Sequence, residues 1–172
     1  YVYGFLHSED YRTTFSDDLK KSLPRLPLVD QADDFWAFSQ AGRDLAELHL
    51  NYETAPLYSG VTVTGAESGN FLVDKIRFIN NNRTAIQYNR AIRITGIPLK
   101  AYQYVVNGRS AIEWILDRYQ VKVDKGSGLI NDPNDWAYER KNPRYVLDLL
   151  LSVITVSLET LKIVDSLPRL NF

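Results

Sequence analysis

The 172-residue sequence contains no cysteine and no methionine, and only two histidines, His7 and His49. Without thiols, neither a disulfide scaffold nor a thiolate metal site is possible, and the absence suits a cytoplasmic setting. Two histidines in separate predicted helices are too few for a structural zinc site, and each is expected to pack in the core or sit at a helix surface rather than act in catalysis. The chain also lacks a P-loop, a GxGxxG fingerprint and a GxSxG nucleophile elbow, so nucleotide-dependent and serine-hydrolase chemistry have no anchor. No long hydrophobic run is present. The most apolar stretch, Tyr145 to Val164, is interrupted by Asp148, Glu159 and Lys162, and its longest uncharged part is ten residues. That is too short to cross a bilayer, so no membrane association is expected. The sequence opens Tyr1-Val2-Tyr3 with no signal-peptide pattern and reads as a piece of something longer.

Two partial matches to catalytic patterns fail on detail. Asp132-Pro133-Asn134 resembles the start of the Asn/Asp-Pro-Pro-aromatic tetrapeptide of amino-methyltransferases, but the second proline and the adjoining aromatic are missing. Asp124 followed by Glu139-Arg140-Lys141 matches the loose D…ExK pattern of metal-dependent nucleases. That chemistry needs the ExK on a strand beside the aspartate, so that two carboxylates share a Mg²⁺. Here the ExK lies in a polar stretch leading to a helix cap. The chain is therefore expected to be non-catalytic, with no metal and no cofactor of its own.

What is present is a globular composition and an uneven charge. Hydrophobic residues make up 45% of the chain and aromatic ones 12%, enough for a substantial core. Net charge is only −1. Residues 1 to 54, however, carry ten acidic and five basic side chains, whereas residues 75 to 112 carry seven cations and no acid. These cations are Lys75, Arg77, Arg83, Arg90, Arg93, Lys100 and Arg109. A local basic block is what a nucleic-acid footprint requires, because phosphates respond to nearby cations rather than to total charge. A set of solvated arginines on a hairpin has the same composition.

The periodicities predict an α+β fold: a central, mostly antiparallel sheet over about 60–95, flanked by N-terminal and C-terminal helices. Ser8 is placed to cap a helix through Tyr11, Phe15 and Leu19. Pro24 and Pro27 force an extended stretch, and a second helix starts near Asp30 with Phe35, Phe38, Ala41, Leu45 and Leu48 on one face. From about residue 60 the period becomes two. Strands are predicted at 61–64, 71–79, 84–88 and 91–95, with Asn80 to Arg83 as a hairpin tip. A short helix over 99–106 follows, then a helix capped by the Ser110/Glu113 box. A Gly126-Ser127-Gly128 turn, a short capped element near Asp132–Trp136 and a long apolar C-terminal helix complete the reading. The last of these starts at Asn142-Pro143 and runs to about Ser166.

Arginine, asparagine and glutamine read purine edges in the major groove through two-point hydrogen bonds, and arginine and lysine hold phosphates. The segment Asn80, Asn81, Asn82, Arg83, Gln87, Asn89, Arg90 and Arg93, with Arg77 on the preceding strand, is dense in these types. Alternation along strands allows Ile86 and Ile92 to be buried while the polar groups face outward. An ordinary polar hairpin would look the same, since asparagine clusters are common turn material.

Several ordered strings carry a family resemblance. They are Tyr3-Gly4-Phe5-Leu6-His7-Ser8 with Tyr11; Phe35-Trp36-Ala37-Phe38 through Leu48-His49-Leu50-Asn51-Tyr52-Glu53; and Ile94-Thr95-Gly96-Ile97-Pro98 with Tyr102 and Tyr104. Val106-Asn107-Gly108-Arg109-Ser110-Ala111-Ile112-Glu113-Trp114 follows, then Asp117-Arg118-Tyr119-Gln120-Val121, Asn131 to Trp136, and Asn142-Pro143-Arg144-Tyr145. Together they resemble the C-terminal specificity domain of Type ISP restriction–modification enzymes, also described as predicted helicases, across nearly the whole chain. The resemblance implies one target-recognition domain over 1–172, belonging to the C-terminal end of a larger phage-defence protein. In that family, nuclease, helicase and adenine-N6 methyltransferase activities sit on upstream domains that use ATP, Mg²⁺ and S-adenosylmethionine. The implied partners are double-stranded DNA and, within the polypeptide, the methyltransferase and coupling domains. By residue type, Arg109, Arg118 and Lys125 are candidate phosphate contacts, although Arg118 is equally placed to pair with Asp117 or Glu113. Trp114, Tyr119 and Trp136 read as frame. A structural module that braces motor and methyltransferase is the alternative.

Overall fold

Side chains that take over the work of backbone pairing account for two of this chain's departures from its strand and helix periodicity, at residues 71–76 and at the start of the last helix. A computed structural model describes residues 1–172. They form two compact units, one of Tyr1–Asn51 with Glu159–Phe172 and the other of Tyr52–Leu158.

In the first unit, α1 (Val2–Phe5) crosses α4 (Ala32–Leu50) at a pair of glycines. A Cβ on Gly4 would lie 2.1 Å from the Phe38 carbonyl oxygen, and one on Gly42 would lie 2.7 Å from the Gly4 nitrogen. Only glycine permits that approach. Phe5, Phe38 and Tyr11 are buried around the crossing. The single helix predicted from Ser8 to Leu19 is two short ones, α2 (Glu9–Thr14) and α3 (Ser16–Leu19), because Phe15 leaves helical geometry at φ −104°, ψ 22°. Ser8 caps α2 by accepting from the Tyr11 backbone N–H at 3.3 Å.

The second unit is built on a four-stranded antiparallel sheet in the order β1-β4-β3-β2, with β1 Thr62–Thr64, β2 Arg77–Ile79, β3 Asn82–Gln87 and β4 Arg93–Thr95. Two small hairpins follow it, β5 (Val105–Val106) with β6 (Arg109–Ser110), and β7 (Lys122–Val123) with β8 (Ile130–Asn131). Helix α5 (Ala111–Arg118) lies between them, and α6 (Asn134–Glu139) and α7 (Tyr145–Asp165) follow, the residues of α7 from Glu159 onward belonging to the first unit. Ile86 and Ile94 on the inner face of the sheet pack with Ile112, Leu147, Leu150 and Ile154 in one core. No helix is long and apolar enough to cross a membrane.

Three further predicted elements are corrected. Residues 71–76 do not pair as a strand. Several of their backbone groups bond to side chains instead: the Asn134 amide both accepts from Val73 N and donates to Val73 O, each at 2.8 Å. Tyr88 Oη donates to Phe71 O, and Asn89 Nδ2 donates to Leu72 O. The helix predicted over 99–106 is a 3₁₀ stretch, Leu99–Gln103, and Val105–Val106 turns into a hairpin. Asn107 and Gly108, at φ 50° and 80°, supply the two left-handed positions of its turn. Asn142 Oδ1 accepts from Arg144 N, so residues 143–144 form a turn and α7 begins at Tyr145.

Candidate nucleic-acid interface

The register of the sheet sorts its residues into two faces. Phe78, Ile86, Ile94 and Val63 are paired neighbours across all four strands, and Ile86 and Ile94 are wholly buried. The adjacent row, pointing the opposite way, is Arg77, Gln87, Arg93 and Thr64. Ala85, Thr95 and Thr62 form the next row of that outer face. With strands about 4.8 Å apart, Arg77 and Arg93 stand roughly 10 Å from each other on either side of Gln87. The two arginines and the threonines at 62, 64 and 95 are exposed. No acidic residue lies on this face.

Gln87 fixes this row. Its Nε2 donates to the carbonyls of Asn89 at 2.6 Å and Ile92 at 3.2 Å, and its Oε1 accepts from Arg93 Nε at 2.9 Å. The Arg93 guanidinium is thus held by one nitrogen while its other N–H groups remain for a ligand. Arg77 is exposed on the neighbouring strand.

The remaining expected contact residues divide by what their side chains do. Asn80 and Asn81 occupy the β2–β3 turn at φ 51° and 58°, the left-handed pair of a two-residue hairpin, and both are exposed. Asn82 Oδ1 accepts from Thr84 N and Thr84 Oγ1, which shapes the start of β3. Arg90 is exposed in the β3–β4 turn. Asn89 is different. It is buried, its Nδ2 donates to Asn70 O and Leu72 O, and its Oδ1 accepts from Ala91 N and Ile92 N. Both ends of that amide are committed to the turn, so it has nothing left for a base edge. Gln87 is likewise engaged within the fold and serves the face through Arg93.

Arg83 points toward α5 and is braced there. Its Nη2 pairs with Glu113 Oε1 at 2.8 Å, and its guanidinium lies 5.4 Å from the Tyr102 ring centre. Glu113 also closes the capping box with Ser110. Burial alone would raise the Glu113 carboxyl, but the Ser110 hydroxyl and N–H, with Arg83 and Arg109 nearby, outweigh it and hold the group below its usual value.

Arg109 and Arg118 gather at Asp117. Arg109 Nη1 lies 3.5 Å and Arg118 Nε 3.8 Å from Asp117 Oδ2. Lys122, which sequence reasoning passed over, contacts the other oxygen at 3.1 Å. The hydrogen bond from Lys122, joined by the charges of Lys122, Arg109 and Arg118, holds the Asp117 carboxyl below its ordinary value against an opposing desolvation. No signal in the sequence linked Lys122 to this group, since the contact depends on how the β7 hairpin leaves α5. Lys125 is exposed in the β7–β8 loop.

The two nuclease-like and methyltransferase-like strings occupy structural positions. Asp124 accepts from Gly126 N, Ser127 N and Ser127 Oγ and so shapes its own turn. Glu139 ends helix α6 rather than lying on a strand, and Arg140 pairs with Glu53. Asp132 Oδ1 accepts from Asn134 N at the start of α6. The histidines pack in the first unit, where His49 bridges Tyr3 Oη and Thr160 Oγ1 at 2.7 and 2.8 Å. Burial, with the nearby His7 ring adding to it, lowers the His49 imidazole to about 4, so it is neutral at pH 7.

The family model for the Type ISP C-terminal specificity domain matches residues 1–149. Among solved structures, a nuclease-deletion mutant of the Type ISP restriction–modification enzyme LlaGI in complex with a DNA substrate mimic is 48% identical, with a TM-score of 0.89. The match covers 98% of this chain and 16% of that one. The ATP-dependent Type ISP restriction–modification enzyme LlaBIII bound to DNA is 46% identical with a TM-score of 0.91, over 99% of this chain and 11% of that one. The DrdV–DNA complex is 25% identical with a TM-score of 0.80, over 99% and 18% respectively. The chain therefore spans less than a fifth of each of these proteins. Among curated proteins no sequence matches significantly.

Proposed function

We propose that this chain, which belongs to the Type ISP C-terminal specificity domain family, recognises a specific sequence in double-stranded DNA for a restriction–modification enzyme. The observation that carries the proposal is the outer row Arg77–Gln87–Arg93 on an acid-free sheet face. The similar LlaBIII structure bound to DNA and the LlaGI structure in complex with a DNA substrate mimic support it. In this reading residues 1–172 act as one recognition domain. Arg77 and Arg93 grip phosphates beside the groove, and Arg109, Arg118 and Lys125 add to that grip. Asn80, Asn81, Asn82 and Arg90, at the two turns of the sheet, are the groups with exposed hydrogen-bonding capacity for base edges. Arg83 approaches DNA only through what its pairing with Glu113 leaves over.

The proposed chain does no chemistry itself. Cutting, ATP-driven translocation and adenine-N6 methylation, with their ATP, Mg²⁺ and S-adenosylmethionine, belong in this reading to other parts of a cytoplasmic parent enzyme. The long apolar C-terminal helix α7 supplies the frame that carries the sheet.

Arg77 and Arg93 changed together to Glu test the proposal by fluorescence anisotropy on a labelled duplex of mixed sequence at low salt. Removing two phosphate contacts and adding repulsion is expected to weaken binding at least about tenfold and to flatten its salt dependence. Unchanged affinity would remove the sheet face as the DNA surface. Arg83 is a poorer choice for this test, because a glutamate there would oppose Glu113 and disturb the α5 cap.

A second reading, a module that braces neighbouring protein domains, is favoured by the first unit. It carries eleven acidic and seven basic side chains, a net of −4, and exposes Leu23, Leu28, Trp36 and Leu50. Apolar contacts of this kind weaken little with salt, which separates them from phosphate-driven binding.

A further inference from the structure

Three cations from three different elements converge on one carboxylate beside the β5–β6 hairpin. Arg109 comes from β6, Arg118 from the last turn of α5 and Lys122 from β7. Asp117 meets all three, at 3.5, 3.8 and 3.1 Å, and Lys122 Nζ also donates to the Asp117 backbone carbonyl at 2.6 Å. The aromatic ring of Trp114 fixes the same cluster from the side. The Arg109 and Arg118 guanidinium carbons each lie 5.3 Å from its centre, and its Nε1 donates to Val106 O at 2.7 Å, tying the hairpin to α5.

The cluster keeps a net charge of +2, and its cations stay open: the side chains of Arg109, Arg118 and Lys122 are 54%, 69% and 49% exposed. Exposed ion pairs of this kind add little to folding stability, since solvent screens them and holding long side chains costs entropy. Each guanidinium has five N–H donors, of which the carboxylate engages only a part. Without Asp117, three like charges on separate elements would repel and their long side chains would spread. With it, their rotamer freedom is already reduced before an anion arrives, which is the condition for tight charge-assisted hydrogen bonding to a phosphate.

We propose that Asp117 is a positioning residue that gathers Arg109, Arg118 and Lys122 into one preformed grip for a DNA backbone phosphate. The inference rests on the DNA-binding reading above and adds to it a third cation and an acidic residue whose presence strengthens anion binding. Asp117 does not touch the phosphate. It acts through the three cations.

The test turns on sign. Mean-field electrostatics says that removing a negative charge tightens DNA binding. The positioning role says that Asp117→Asn weakens it. Affinity of the full 172-residue chain for a fluorescein-labelled duplex of mixed sequence, measured across a salt series, decides. Asp117→Asn is expected to bind roughly three- to tenfold more weakly with a smaller salt slope, as if about one phosphate contact were lost. Asp117→Glu restores most of the loss, and the charge-matched control Asp33→Asn on α4 stays at wild-type affinity or slightly above it. In a double-mutant cycle, Asp117→Asn costs less when Lys122 is already Gln. Asp117→Asn binding at or above wild-type strength, or losses that simply add in the cycle, overturn the inference while leaving the DNA reading intact. A wild-type chain that ignores the duplex even at low salt removes both.

Discussion

Asn89 shows how one side chain can hold a site without being part of it. Its amide closes the β3–β4 turn through Ala91 N and Ile92 N and reaches across to the carbonyls of Asn70 and Leu72. Four backbone groups would lose this partner in Asn89→Ala, among them Ile92 N in a buried position. The expected cost is about 2–4 kcal/mol of unfolding free energy, read from urea denaturation. A loss below about 0.5 kcal/mol, within the range of ordinary surface changes, would mean that water replaces the amide. Composition ranked Asn89 with the base-reading candidates, because an asparagine in a polar hairpin looks the same whether its amide faces in or out. Only the path of residues 70–72 beside the turn distinguishes the two. Gln87 presents the same ambiguity, and its position between Arg77 and Arg93 follows from register, which single-strand alternation does not reveal.

The elements most legible in the sequence are those specified by local chemistry. The Ser110/Glu113 capping box and the β2–β3 turn at Asn80-Asn81 are each set by residues within four positions of one another. Residues 71–76 illustrate the opposite case. Their apolar pattern fits a strand, but Asn134, 61 residues away from Val73, takes the hydrogen bonds a neighbouring strand would need. Long-range side-chain pairing of this sort leaves no periodic trace. Helix α5 matters to the proposed site because it carries Glu113, Trp114 and Asp117 at once, so its cap is a sensitive point. Ser110→Ala removes the cap oxygen that accepts from Glu113 N at 3.2 Å. It should lower stability by about 1 kcal/mol. Glu113 loses the Ser110 hydroxyl at Oε2 but keeps the backbone N–H of residue 110 there and Arg83 at Oε1. An unchanged melting transition would show that Glu113 caps α5 without help.

At the scale of the whole molecule the charge is divided rather than balanced. The unit of residues Tyr52–Leu158 carries thirteen basic and ten acidic side chains, a net of +3, against −4 for the other unit. Within the basic unit, the cations between 75 and 112 do not all share one face. Arg77 and Arg93 stand on the outer sheet face, Arg83 leans on α5, and Arg109 joins the cluster at Asp117. The basic block was visible in the sequence, but its division into a sheet row and a separate three-cation cluster depends on tertiary contacts. The central claim is that the outer sheet face meets DNA, and a photo-crosslinker placed on it tests this most directly. With p-benzoylphenylalanine at position 95, next to the Arg93 row, irradiation in the presence of duplex DNA is expected to give a strong protein–DNA adduct that added salt suppresses. The same group at position 36 on α4, exposed on the acidic unit, is expected to give none. An adduct from position 36 and none from position 95 would contradict the account.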